Sequence, residues 1–130
     1  MIGLDTNVLV RYLAQDDPIQ SPKATAFIEQ RLTSENPGFI SLVTMVETAW
    51  ALERAYRLDR ARVGATVERI LAADAFVVEH EREVFAASTA LAAGLGFADA
   101  LIAALCASAG CSHTMTFDQK ALRMPGFKSL

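Results

Sequence analysis

Four acidic residues, Asp5, Glu47, Asp99 and Asp118, each stand where a helix is expected to begin after an apolar run or a loop. Three or four carboxylates gathered in one place cannot all stay ionised unless a hard divalent cation neutralises them, and Mg²⁺ or Mn²⁺ takes oxygen ligands. A cation held in this way activates water toward a phosphate ester and offsets charge on the leaving oxygen. The chain therefore reads as a metal-dependent phosphodiesterase. Each acid alone has a blander explanation. Thr44-Met45-Val46-Glu47 fits a capping box, Asp5 and Asp118 can cap their own helices, and Asp99 suits the positive end of a helix dipole. Caps, however, require neither an apolar strand leading into each position, nor Asn7 two residues after Asp5, nor Thr116 two residues before Asp118. Nucleophilic alternatives are weaker: His80 follows Glu79 in a charged stretch and His113 falls in an expected strand, so both read as structural.

The elements that must position these acids alternate between strand and helix. Met1 to Leu4 is a short apolar strand, followed by a helix whose Val8, Leu9, Tyr12 and Leu13 share a face, ended by Asp16-Asp17-Pro18. Ser21-Pro22 opens a second helix with an apolar stripe of Ala24, Phe27, Ile28 and Leu32. Asn36-Pro37-Gly38 launches a second strand, Phe39 to Ser41. A long helix is expected from about Thr44 to Arg57, and Asp59 caps another with Val63, Val67, Ile70 and Leu71 inward. Ala75 to Val78 reads as the third strand. Helices at about Val84 to Ala93 and Asp99 to Ala109 flank Gly94-Leu95-Gly96; Ser112 to Thr116 makes a fourth strand, and Pro125-Gly126-Phe127 leads into a fifth.

This pattern predicts one α/β domain over residues 1–130, a three-layer α/β/α arrangement with a central parallel sheet of four to five strands. Open sheets of this kind bind ligands at the carboxyl ends of their strands. Asp5, Glu47 and Asp118 follow strands there, and Asp99 begins the helix that feeds the fourth strand, which must start at the same edge.

At 130 residues the chain can bury roughly two-thirds of its unfolded surface and needs no disulfides. Cys106 and Cys111 read as core fillers, and the start Met1-Ile2-Gly3-Leu4-Asp5 lacks the features of a secretory leader, so a cytoplasmic location is expected. Val84 to Ala98 carries no charge but falls short of the roughly 20 residues a membrane span needs. The net charge of −3 argues at first against a nucleic-acid partner, yet leaving out the four acids gives −3 + 4 = +1. Arg54, Arg57, Arg60, Arg62 and Arg69, with Lys120 and Arg123, form a basic set that reads chiefly as solvated helical surface, a subset of which could contact RNA phosphates.

Asp5-Thr6-Asn7-Val8-Leu9, Glu47 after Ser41 and Thr44, Ala98-Asp99-Ala100-Leu101-Ile102-Ala103-Ala104, and Thr116-Phe117-Asp118 together resemble the PIN-domain nucleases, and among them the VapC-type toxins of toxin–antitoxin pairs. The likeness spans essentially the whole chain. It implies a PIN-like domain and a Mg²⁺- or Mn²⁺-dependent endoribonuclease, with Asp5, Glu47, Asp99 and Asp118 as the catalytic, metal-binding acids and Asn7 and Thr116 as supporting polar residues. It also implies a homodimer silenced by a small cognate antitoxin, for which Tyr12, Phe27, Trp50 and Tyr56 are candidate groove residues. The alternatives are a PIN nuclease of RNA processing without an antitoxin, a non-catalytic binding module, and a haloacid-dehalogenase-like phosphatase. The last needs a second Asp where this chain has Asn7.

Overall fold

The computed structural model describes residues 1–130. In chain order the elements are β1 (Ile2–Gly3), α1 (Thr6–Ala14), α2 (Gln20–Arg31), β2 (Gly38–Ile40), α3 (Leu42–Arg54), α4 (Arg60–Ala72), β3 (Phe76–Val78), α5 (Glu81–Ala92), α6 (Phe97–Ser108), β4 (Thr114–Thr116) and β5 (Phe127–Ser129), with a 3₁₀ turn at Ala121–Arg123. Alternating strands and helices form an α/β fold, and every strand pairing is parallel.

The expected central sheet of four to five strands is corrected. Five strands form, but they divide into a three-stranded sheet, β1-β2-β3, and a separate pair, β4-β5. The lengths explain the division. β1 contributes only two ladder residues, both exposed, so it offers β4 few hydrogen bonds and little apolar surface. β4 instead matches Thr114 to Phe127 and Thr116 to Ser129.

Side-chain periodicity buries one continuous core. Leu9 of α1, Ile40 of β2, Met45 of α3, Val63 and Val67 of α4 and Val84 and Leu91 of α5 are all inaccessible to solvent. Met124 joins this core from the C-terminal segment, with Phe127 half-buried against it. At Gly64 the absence of a side chain lets α4 approach α5: a Cβ there would lie 2.8 Å from the Ser88 carbonyl oxygen, closer than a methyl carbon can come. One buried polar atom is left over, the Thr48 hydroxyl on α3, which has no hydrogen-bond partner.

Several helix boundaries move for identifiable reasons. α2 begins at Gln20 because the Asp17 carboxylate accepts from the backbone N–H groups of Ile19 (2.9 Å) and Gln20 (2.7 Å), so Asp17 opens α2 as well as ending the stretch after α1. α3 begins at Leu42 because Ser41 is its N-cap, accepting from Thr44 N at 3.2 Å, which removes the capping-box reading of Thr44 to Glu47. Asp59 caps α4 as expected, accepting from Arg62 N. Cys106 is half-buried and Cys111 exposed, so Cys111 is no core filler. No helix is long and apolar enough to cross a membrane.

Candidate functional site

The carboxyl ends of β1, β2 and β3 are stitched to the start of α3. The Thr44 hydroxyl of α3 donates to the Leu4 carbonyl just after β1, at 3.3 Å. The Glu79 carboxylate, just after β3, accepts from the first α3 amide, Leu42 N, at 2.8 Å. A negative group on the N-terminal amides of a helix is favoured both by the unsatisfied donors and by the helix dipole. Three strands and one helix therefore fix this edge together, and Glu47 projects from the second turn of that helix.

Asp5 is the N-cap of α1 and is exposed, with Oδ1 accepting from Thr6 N at 2.8 Å. The Thr6 hydroxyl in turn donates to Glu47 Oε1 at 2.8 Å. Asp5 and Glu47, 42 residues apart in sequence, are thus linked through Thr6, and each keeps a second carboxylate oxygen outside that link. Asp99 lies half-exposed in the first turn of α6. Glu47 of α3 and Ala98 of α6 line the same shallow apolar groove of about 340 Å³, so α6 presents its first turn beside Glu47.

Asp118 follows β4, in the separate two-stranded sheet. Its N–H donates to the Thr116 hydroxyl at 3.0 Å, and its carboxylate accepts from Lys120 N at 2.9 Å. Both contacts are local turn chemistry. No group of three or more His, Cys, Asp or Glu side chains lies close enough to hold a metal ion. Asp5 and Glu47 are brought together through Thr6, and no hydrogen bond joins Asp99 or Asp118 to them.

The donor chemistry nevertheless suits a hard cation. All four side chains supply carboxylate oxygen, and none has a basic partner: the ion pairs are Arg11 with Asp16 and Asp17, and Arg60 with Glu53. Carboxylates left without a cationic neighbour are what an oxygen-seeking divalent ion requires. Thr6 and Glu79 were not singled out from the sequence. Thr6 lies between Asp5 and Asn7 and offers a hydroxyl at the first helical position, the one signal that could have drawn attention to it.

Asn7 is exposed on α1 and lines a different cleft, with Phe27. The four aromatic residues expected to share one groove do not. Phe27 lines that cleft, whereas Tyr56 lines another with Leu13 and Arg69. Tyr12 donates to Glu29 at 3.3 Å, and Trp50 is 62 % exposed on α3. The Tyr56 hydroxyl donates to Asp16 at 2.7 Å and is approached by Arg11; its bond to Asp16 pushes its pKa up. The arginines also sit away from the acids. Arg54 ends α3, about 10 Å along the axis from Glu47. Arg62 and Arg69 line the cleft at the closing ends of α1 and α3, and Arg60 is tied to Glu53 and to the Gly94 carbonyl. His80 takes a left-handed conformation at the start of α5 without a side-chain capping bond, and His113 contacts Ser112.

A family model described as PIN domain matches residues 2–126, nearly the whole chain. No curated protein matches it.

Proposed function

This chain belongs to the PIN domain family, whose members are generally metal-dependent nucleases that bind RNA, and from that premise we propose that it is a Mg²⁺- or Mn²⁺-dependent endoribonuclease serving as the toxin of a type II toxin–antitoxin pair. The catalytic unit in this reading is one PIN domain over residues 1–130, with Asp5, Glu47, Asp99 and Asp118 as the metal-binding acids. The observation that supports it most is the Asp5–Thr6–Glu47 link at the carboxyl edge of the strands, built from carboxylates that no Lys or Arg neutralises.

The chemistry a divalent cation supplies when bound here is polarisation of the scissile phosphate and compensation of charge on the leaving oxygen. The residues do the rest. Thr6 holds Glu47 in one orientation, so that carboxylate need not be ordered at the moment of reaction. Ser41 and Glu79 fix the first turn of α3 and hence the place from which Glu47 projects. Asp99 stands in the first turn of α6, next in the chain to Ala98 of that groove. Thr116 sets the turn that presents Asp118.

The partner reading draws on an apolar strip beside Glu47. Val43, 69 % exposed, and Trp50 lie on the Glu47 face of α3, and Ile102 of α6, 47 % exposed, continues it. A small antitoxin laid on that strip would cover Glu47 and could place a basic side chain among the acids, displacing the cation by charge pairing. A homodimer is part of the same family expectation.

Cleavage of single-stranded RNA with and without Mn²⁺, comparing wild type with Asp5→Asn, tests the enzyme. Metal-dependent cutting lost in the variant is expected, and equal cutting by both chains removes Asp5 from the site. Induction of the isolated gene, then of the gene with its adjacent reading frame, tests the toxin role. Harmless wild-type expression at high soluble yield removes that role and leaves the nuclease standing.

A further inference from the structure

Beside the acids a cleft of about 370 Å³ opens between β1, α1 and α2. It begins at Leu4 and Asn7, which bracket Asp5 and Thr6 in the chain, and runs past Phe27 to Lys23 and Arg11. The first turn of α1 therefore faces two ways: Thr6 toward Glu47 on α3, and Asn7 toward this cleft. The contents are mixed in a specific manner. Phe27, half-buried, supplies an aromatic wall. Asn7 carries an amide with both donors and an acceptor. Lys23 is exposed and takes part in none of the ion pairs, whereas Arg11 is held by Gln20 at 2.9 Å and by Asp16.

Unpaired RNA bases are recognised by stacking on aromatic rings and by hydrogen bonds to their edges, and the attached phosphates by lysine or arginine. A pocket of this size lies within the usual range for small-molecule sites, roughly 300–1,000 Å³. The acids repel phosphate unless a cation lies between them, and they carry no information about the base.

We propose that the cleft between β1, α1 and α2 is a subsite for one unpaired nucleotide next to the scissile phosphate, its base on Phe27, its edge read by Asn7 and its outer phosphate met by Lys23. The subsite rests on the reading of the neighbouring acids as an RNA-cleaving centre. It gives the enzyme a preference for single-stranded RNA at one position beside the cut, because a base held in a duplex cannot enter a cleft walled by a ring.

The test measures binding without cleavage. An Asp5→Asn chain in Mg²⁺ buffer is titrated, by fluorescence anisotropy, into a labelled single-stranded hexaribonucleotide and into the same hexamer with abasic sugars. The base-bearing hexamer should bind more tightly by about 5- to 150-fold, the range that one stacked base confers. Adding Phe27→Leu should erase most of that ratio in a chain whose circular dichroism shows it still folded, and Phe27→Tyr should keep it. Lys23→Gln should weaken both hexamers alike and lower the salt dependence by about one unit of slope. Equal binding of the two hexamers, or a ratio untouched by Phe27→Leu, overturns the subsite and leaves the nuclease reading intact. Binding of neither hexamer overturns the subsite, and the nuclease reading is then decided by metal-dependent cleavage in the wild-type chain.

Discussion

Replacing Thr6 by Val removes one hydroxyl and little volume, and so isolates the contact that orients Glu47. A hydrogen bond to a charged acceptor contributes about 1.5–3 kcal/mol when water cannot replace it. Glu47 is exposed and water can, so the net effect on folding should stay under about 0.5 kcal/mol. For 130 residues the unfolding entropy is about 0.27 kcal/mol/K, and the melting temperature should fall by no more than about 2 °C. The effect on turnover is larger. A free Glu side chain holds up to about 1.5–2 kcal/mol of rotamer entropy, which the 2.8 Å bond from Thr6 removes in advance. Restoring most of that freedom should slow cleavage about tenfold. The assay is steady-state cleavage of a single-stranded RNA at saturating Mn²⁺, alongside thermal melts, with Thr6→Ser as the chain that keeps the hydroxyl and the rate. Wild-type turnover in Thr6→Val refutes the orienting role, and so does a loss of rate that merely follows a large fall in melting temperature.

Asp5→Asn should abolish cleavage while folding normally, since Asn caps helices about as well as Asp. Mn²⁺ at 100 times its dissociation constant should raise the wild-type melting temperature by about 10 °C and the variant's by much less, as calorimetry would show. Thr48→Val removes the orphaned buried hydroxyl and should stabilise the fold by about 1 kcal/mol, read as a higher urea midpoint; a lower midpoint would mean that the hydroxyl is satisfied. Arg54→Gln combined with Arg69→Gln should leave cleavage within about twofold, because both side chains lie away from the acids. The backbone N–H groups of Gln20 and Ile19 hold the Asp17 carboxyl below its ordinary range, so the unfolded pKa exceeds the folded one. Its contribution is present above about pH 3.9 and is lost as pH falls through the lower folded value. Asp17→Asn, which can still cap α2 but cannot titrate, should flatten the acid limb of the stability profile in that window.

Helix number, strand number and parallel direction were legible because each rests on local signals. Apolar spacing at Val63, Val67 and Ile70, capping by Asp59, and the Asn36-Pro37-Gly38 break all act within a few residues. What the sequence hid was nonlocal. That Glu79 would cap α3 from 37 residues away, or that Asp17 would open α2 from outside it, depends on where chain segments meet. The division of the strands into three and two turned on how few ladder bonds a two-residue β1 can offer, a quantity that hydrophobic pattern does not report. At the site, strands that end on one edge made the meeting of Asp5 and Glu47 legible, and Thr6 links the two there. For Asp118 the premise of one continuous sheet does not hold, since β4 pairs only with β5. The aromatic groove failed for a similar reason: residue type marked Tyr12, Phe27, Trp50 and Tyr56 as sticky, while only packing decides which helix each one faces.

The break between the two sheets bears on how the protein samples its states. With no backbone ladder running from β1 to β4, the segment carrying Asp118 is secured to the core chiefly by Ala121, Met124 and Phe127. Its amides should therefore exchange with deuterium through a cheaper, sub-global opening, while those of Ile40 and Val78 wait for global unfolding. If the fourth acid contributes to cation affinity, the apparent dissociation constant is the intrinsic one divided by the fraction of molecules in which this segment is seated. Affinity for the ion then becomes a readout of local stability: a substitution at Met124, which carries no charge and ligates nothing, would weaken metal binding by raising the population of the unseated form.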